Sequence, residues 1–322
     1  MRSHSLTAVD LVIGVDAGGT STRALLADVS GRVLGAGAAA GLNQRSSGGD
    51  PVDRLVAALG EALGSHDPAS VRAGVLGVAG AGAAGLSVAR SVAESAWARL
   101  GLGGTPVVVP DLVVAFAAGS PSPSGTVLVA GTGAGAASVV DRRLGRQADA
   151  AGWLLGDVGS AVWLAREALV AAVADLDGRG PATALTEPLL ARLLGRSGPF
   201  TAQDVIGAAY AEPPASLGSL APVVTECAGG DPVADDIVAR GVAGLLASLD
   251  AVRGEGPVVL AGSLLTHHGP VLDAVRAGLA ERGVLDPATA TTPAAGAAWL
   301  ALVSLGVADE QVHGSLRRDC AV

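Results

Sequence analysis

Aromatic side chains are nearly absent, at 2% of 322 residues. Large rings therefore cannot fill the cores, which must be packed from Ala, Gly and Val with close approaches between elements. Ala-rich helices and Val-rich strands suit that composition. Cysteine is equally scarce. Cys227 and Cys320 lie far apart and outside any metal spacing. A disulfide framework is excluded, and the pair reads as two free thiols in a reducing compartment. Charged residues are only 16% of the chain. No Lys/Arg run stands out and the net charge is −9, which argues against a nucleic-acid partner. The five histidines form no zinc motif, and His267-His268 reads as a solvated loop. Met1–Asp10 lacks an apolar signal core. The uncharged stretch Leu112–Val140 is cut by Gly119–Gly125. Neither piece reaches the roughly 20 apolar residues of a membrane span. The expectation is a cytoplasmic protein without membrane contact.

The length suits two domains. Leu11–Val15, Thr22–Val29 and Val33–Ala36 read as strand, turn, strand, turn, strand. Asp53–Leu63 has helical spacing, with Leu55, Val56, Leu59 and Leu63 on one face. Strand Arg72–Val78, helix Val88–Leu100, strand Val107–Val109 and helix Leu112–Ala118 follow. The pattern then restarts with strands Thr126–Ala130 and Ala136–Val140. Helices are expected over Ser160–Ala174, Glu187–Leu194, Thr201–Ala209, Pro232–Val252, Pro270–Arg282 and Pro293–Leu305, with a strand at Val258–Ala261. Gly178–Pro181 and Pro213–Pro222 read as surface loops. Two similar α/β domains with a cleft between them is the economical arrangement. The expected division is 1–118 and 119–293, with a last helix at 294–308 packing back on the first domain.

Five stretches carry chemistry. Asp16-Ala17-Gly18-Gly19-Thr20-Ser21-Thr22-Arg23 follows a buried strand. Its glycines turn the backbone so that N–H groups can face outward, and Thr20, Ser21 and Thr22 add hydroxyls. Such a loop can cradle phosphates, with Arg23 adding charge and Asp16 holding Mg²⁺. A plain Gly-Gly hairpin is the bland alternative, and neither a Walker A nor a G-x-G-x-x-G motif is present. Gly131-Thr132-Gly133-Ala134-Gly135 repeats the theme after another apolar strand. Asp111, after a strand, can be a general base or a helix cap. Gly152–Ser160 reads as an irregular loop, with Asp157 and Ser160 placed to cap the next helix. Gly262-Ser263 ends a strand where a planar group such as adenine could lie flat on backbone.

Together, in order, these stretches resemble the sugar kinase/actin superfamily and, within it, the BadF/BadG/BcrA/BcrD ATPase family on its N-acetylglucosamine kinase branch. The resemblance runs from Leu11 to about Leu305. It implies two ribonuclease H-like (actin-like ATPase) α/β domains, each a mixed sheet flanked by helices, around an interdomain cleft. Asp16–Thr20 is similar to the first phosphate motif, Gly131–Gly133 to the second, and Leu260–Ser263 to the adenosine motif. Gly77–Gly82 and Pro293–Gly296 resemble the connecting motifs at the hinge. The resemblance implies Asp111 as catalytic base and Thr132 as a nucleotide contact. It implies Asn43, Gly152 and Asp157 as sugar contacts. ATP, Mg²⁺ and an amino sugar are the implied ligands, and a homodimer the implied assembly. N-acetylglucosamine is the first substrate expected, with glucosamine or N-acetylmuramic acid as alternatives.

Two departures stand against the family pattern. Ala134-Gly135 replace a Ser-Asn pair, and Val158 stands where Glu is usual. Two other activities share the fold. One is an ATPase that activates another enzyme through a cysteine-bound iron–sulfur cluster, for which only two cysteines are present. The other is a sugar sensor without catalysis.

Overall fold

The computed structural model describes residues 10–19, 21–42, 50–79 and 83–320. The chain divides into two compact units. One comprises 1–125, 139–144 and 290–322; the other comprises 126–138 and 145–289.

The first unit holds a sheet in the order β3-β2-β1-β4-β5. Its strands are β1 (Leu11–Ala17), β2 (Ser21–Asp28), β3 (Val33–Ala40), β4 (Val71–Val78) and β5 (Pro106–Pro110). β1 is antiparallel to β2 and parallel to β4, and β4 is parallel to β5. Side chains alternate along β1 with the period of two that a strand imposes. Leu11, Ile13, Val15 and Ala17 join a core with helices Pro51–Leu63 and Ala83–Leu100, around Leu55, Leu59 and Trp97. Val12 faces the other way, into a core with helices Asp111–Gly119 and Pro293–Ser304.

Gly14 shares that second face. A Cβ there would lie 2.1 Å from the Ala294 carbonyl oxygen and 2.2 Å from the Ala298 nitrogen. The helix thus rests on bare backbone, as the poverty in bulky residues requires. A further helix, Glu310–Asp319, closes this unit. Its His313 Nε2 donates to the Ala117 carbonyl, 2.8 Å away, and the ring meets Trp299 edge to face at 5.0 Å.

The second unit repeats the strand order around β6, as β10-β9-β6-β7-β8. The strands are β6 (Gly125–Ala130), β7 (Ala134–Val140), β8 (Arg143–Asp149), β9 (Val258–Ala261) and β10 (Ala288–Thr289). β9 is parallel to both β6 and β10. The short connections from β6 to β7 and β7 to β8 allow only antiparallel pairing. Each unit is therefore a five-stranded mixed sheet flanked by helices. The core of the second unit joins Leu128 and Leu260 to the helices Ala161–Leu176, Thr186–Leu194 and Pro232–Val252.

One loop expectation fails. Residues 213–222 are not a loop: Pro214–Leu220 is a 3-10 helix running into helix Ala221–Cys227. Pro214 and Pro222 both occupy helix-opening positions, which suit their fixed φ, and Leu220, Val223 and Val224 are buried. Among the described residues no helix is long and apolar enough to cross a membrane.

Two substitutions separate backbone contact from propensity. Gly14→Ala should cost about 1–3 kcal/mol or more, since its Cβ would meet main chain that cannot turn aside. Gly60→Ala, inside helix Pro51–Leu63 with its nearest neighbour atom 4.0 Å away, should add about 0.5–1 kcal/mol. Urea unfolding of the two variants should shift the midpoint in opposite directions.

Candidate active site

Parallel strands bring their carboxyl ends to one edge of a sheet, where loops and helix starts collect ligand groups. Asp16 lies near the end of β1, opposite Gly77 of β4 and Arg23 of β2. Asp111 follows β5 directly and is the first residue of helix Asp111–Gly119. It is not the residue before the helix: Pro110 occupies the cap position, and Asp111 Oδ1 accepts the Leu112 N–H at 2.9 Å. Gly77, between the two strands, leaves room for that helix. A Cβ on Gly77 would lie 2.1 Å from Val114 Cγ2.

Both carboxyls are pushed up to about 6. For Asp16 the main cause is burial, then the negative charge of Asp111, with Arg23 opposing. For Asp111 burial again dominates, opposed by the Leu112 N–H. The two carboxyls lie at the same edge of the sheet on strands either side of β4, held from bulk water, and the Asp111 charge further discourages ionisation of Asp16. The arrangement offers a proton acceptor beside a potential cation ligand.

The hairpin after Asp16 differs from the expected phosphate cradle in two details. The Gly18 N–H points back to the Ser21 carbonyl at 2.9 Å, so it closes the turn instead of facing a ligand. Thr22 is fully buried, and its hydroxyl donates to the Ala40 carbonyl at 3.0 Å. Hairpin closure outcompetes ligand binding for both groups. Gly18 and Gly19 are partly exposed, and the Arg23 side chain is exposed on the face of β2 that also bears its β1 partner Asp16. Thr20 and Asn43 lie outside the described residues, as do positions 80–82 of the expected hinge motif.

The second unit gathers its own set at the carboxyl ends of β6 and β9. The 131–133 turn closes through Gly131 N–H to the Gly133 carbonyl at 2.9 Å, and the Gly131 carbonyl accepts Ala161 N–H at 2.8 Å. Thr132 is exposed at its tip. Gly262 takes φ +85 and lies against this turn. A Cβ there would meet the Ala130 carbonyl oxygen at 2.3 Å. Exposed Ser263 then opens the short helix Ser263–Thr266.

Asp157 comes to the same place from the loop before helix Ala161–Leu176. A Cβ on Gly133 would lie 2.9 Å from its Oδ2. Oδ1 faces the Gly152 N–H at 3.3 Å, with Gly152 at φ +82. Burial raises the Asp157 carboxyl, and N–H groups of Ala134 and Gly152 oppose that rise. Only Ser160 caps the helix, by accepting Trp163 N–H at 3.1 Å. One residue escaped the sequence reading. Asp149 accepts the N–H of Asp157 at 2.6 Å and of Val158 at 2.9 Å. Its place at the end of a polar strand gave no signal.

Comparison with known proteins fits this layout. The model of the BadF/BadG/BcrA/BcrD ATPase family matches residues 13–301. The chain belongs to that family. The N-acetylmuramic acid/N-acetylglucosamine kinase of Clostridium acetobutylicum is 30% identical over 182 residues. That match spans 56% of this chain and 58% of the relative, so less than two thirds of the relative's length is covered. A candidate N-acetylglucosamine kinase from Chromobacterium violaceum is 25% identical with a TM-score of 0.69, covering 92% of this chain and all of that one. A ROK family glucokinase from Streptomyces griseus, solved with glucose and AMPPNP, shares the fold at 23% identity, with a TM-score of 0.58 over 90% of this chain and 99% of that one.

Against the BadF/BadG/BcrA/BcrD pattern, both departures have a structural reason. A Cβ at Gly135 would lie 2.8 Å from both the nitrogen and the Cβ of Ala150, so no asparagine fits. Val158 packs on Gly244 in the long helix, and a Cβ on Gly244 would sit 2.3 Å from its Cγ1. A glutamate there would give up this apolar contact at the edge of the second unit's core.

The paired carboxyls carry a stability cost with a defined pH window. Each holds its proton to about 6 in the folded chain, against 3.8 for an ordinary aspartate. The folded state therefore binds more protons between these values, and stability falls as pH rises through that window. The full cost is present above pH 6. Asp16→Asn or Asp111→Asn should thus stabilise the fold at pH 7.5 by on the order of 1 kcal/mol each, seen as a higher melting temperature. Thermal scans should show the gain fading as pH drops to 4.

Proposed function

We propose that this chain is an ATP-dependent kinase that phosphorylates a hydroxyl of an amino sugar. The observation that carries the reading is Asp16 and Asp111, two carboxyls raised to about 6 at the carboxyl ends of β1 and β5, parallel strands on either side of β4. A base near 6 is ionised at neutral pH yet still accepts a proton from an attacking hydroxyl. The named activity of the Clostridium acetobutylicum relative supports the same acceptor class.

Asp111 accepts the proton of the sugar hydroxyl as the oxygen attacks the γ-phosphate. The Leu112 N–H at 2.9 Å fixes one carboxylate oxygen, leaving the other to face substrate. Asp16 is the metal ligand. Among the described residues no cluster of three or more Asp, Glu, His or Cys could hold a cation. Mg²⁺ suits this poverty, because it binds through one or two carboxylates plus phosphate oxygens and keeps several waters. When bound it would supply positive charge against the phosphates. Gly19, Thr20 and Arg23, with Gly131, Thr132 and Gly133, take phosphate, Gly18 serving the turn; Gly262 and Ser263 take the adenosine. Asn43, Gly152 and Asp157 take the sugar. N-acetylglucosamine, giving its 6-phosphate, is the first acceptor to test. Glucosamine and N-acetylmuramic acid follow.

ADP release with Mg·ATP, measured across amino sugars and plain hexoses, is the direct test. Turnover confined to an amino sugar is expected, and turnover equal with and without sugar would overturn the reading. Asp111→Asn should lower kcat about a hundred- to ten-thousand-fold while sugar binding persists. In the wild type, kcat should fall tenfold per pH unit below about 6 as Asp111 takes up its proton. An Asp111→Asn enzyme with wild-type turnover would remove Asp111 as base.

A further inference from the structure

The segment 149–157 holds an unusual amount of left-handed backbone. Asp149, Ala150 and Asp157 take φ of +59, +53 and +54, and Gly152 takes +82. Three of these four residues carry a Cβ, and each such residue costs roughly 1–2 kcal/mol in that region. Strain of this kind persists only where surrounding contacts over-determine it. The contacts here converge on one side chain. Asp149 Oδ1 accepts the Asp157 N–H at 2.6 Å and the Ala151 N–H at 3.4 Å, and Oδ2 accepts the Val158 N–H at 2.9 Å. The carboxylate thus closes two rings, of nine residues through Oδ1 and of ten through Oδ2. Gly156 has no side chain to obstruct it; a Cβ there would lie 2.1 Å from Asp149 Oδ1.

The rings have a consequence for Asp157. With its own N–H anchored to Asp149, the Asp157 side chain is directed to the other side, toward Gly133 and the N–H groups of Ala134 and Gly152. Bonds between a carboxylate and backbone N–H groups are charge-assisted and directional. Two of them on successive residues fix the peptide plane that carries Asp157.

We propose that Asp149 is a positioning residue. Its carboxylate locks the 149–158 loop and thereby holds the Asp157 carboxylate against the 131–134 turn in the orientation that receives the sugar. The kinetic consequence rests on the amino-sugar kinase reading. The structural consequence, protection of the Asp157 and Val158 amides, does not.

Asp149→Gly is the decisive variant. Glycine accepts φ +59 without strain, so a residue needed only for the turn would be replaced without loss. The lock, by contrast, is removed entirely. Amide exchange at Asp157 and Val158 should accelerate about tenfold or more in this variant. KM for the sugar should rise about tenfold or more, with the loss falling on KM and not on kcat. Asp149→Asn keeps one acceptor oxygen and should lie between wild type and Asp149→Gly in both readouts. Unchanged exchange at the two amides in Asp149→Gly would overturn the lock. Faster exchange with unchanged KM would overturn its role in sugar binding. Absence of any sugar turnover in the wild type would instead count against the kinase reading, and the exchange result would stand on its own.

Discussion

Burial of the Asp16 and Asp111 carboxyls at one edge of a parallel sheet is the constraint around which the first unit is arranged. Carboxyls near the ends of β1 and β5 reach the same sheet edge only if the strands run parallel, and β1, β4 and β5 do. They keep their protons to about 6 only if water is thinned around them. Helix Asp111–Gly119 does this by lying close on β4, which the absence of a side chain at Gly77 permits. Helix Pro293–Ser304 in turn seals the sheet face at Gly14. The small-residue composition is therefore not incidental. It lets helices approach the sheet at backbone distance and leaves the reactive groups as the main polar features of their edge.

The second unit solves a related problem with different means. It presents no carboxyl at the end of β6. Its turn at 131–133 is backed by Gly262, whose φ of +85 and bare Cα allow contact with the Ala130 carbonyl. Asp157 arrives from a loop instead of a strand, and so needs a lock of its own, in Asp149. A strand-end residue inherits its orientation from the sheet. A loop residue must be held by side-chain bonds to the backbone.

That difference also explains what the sequence could and could not disclose. The β-branched run Leu11–Val15 and the helical face of Leu55, Val56, Leu59 and Leu63 are short-range patterns, and the elements they indicated are present. Helix Asp53–Leu63 starts two residues earlier than its spacing suggested, because Asp50 caps it by accepting the Val52 N–H. Gly-rich turns after β1 and β6 were equally visible. Hydrogen-bond partners were not. Nothing local says that Thr22 donates to Ala40, that the Gly18 N–H returns to Ser21, or that Asp149 reaches over nine residues to Val158. Pro213–Pro222 looked like a loop because prolines punctuate loops and helix starts alike.

The most direct test of the central claim is a titration of the individual aspartate carboxyls by carbon-13 NMR, in the wild type and in Asp111→Asn. Asp16 and Asp111 should each titrate near 6, and removing the Asp111 charge should lower the Asp16 value. Titration of both near 3.8, or an Asp16 value indifferent to Asp111→Asn, would contradict the account.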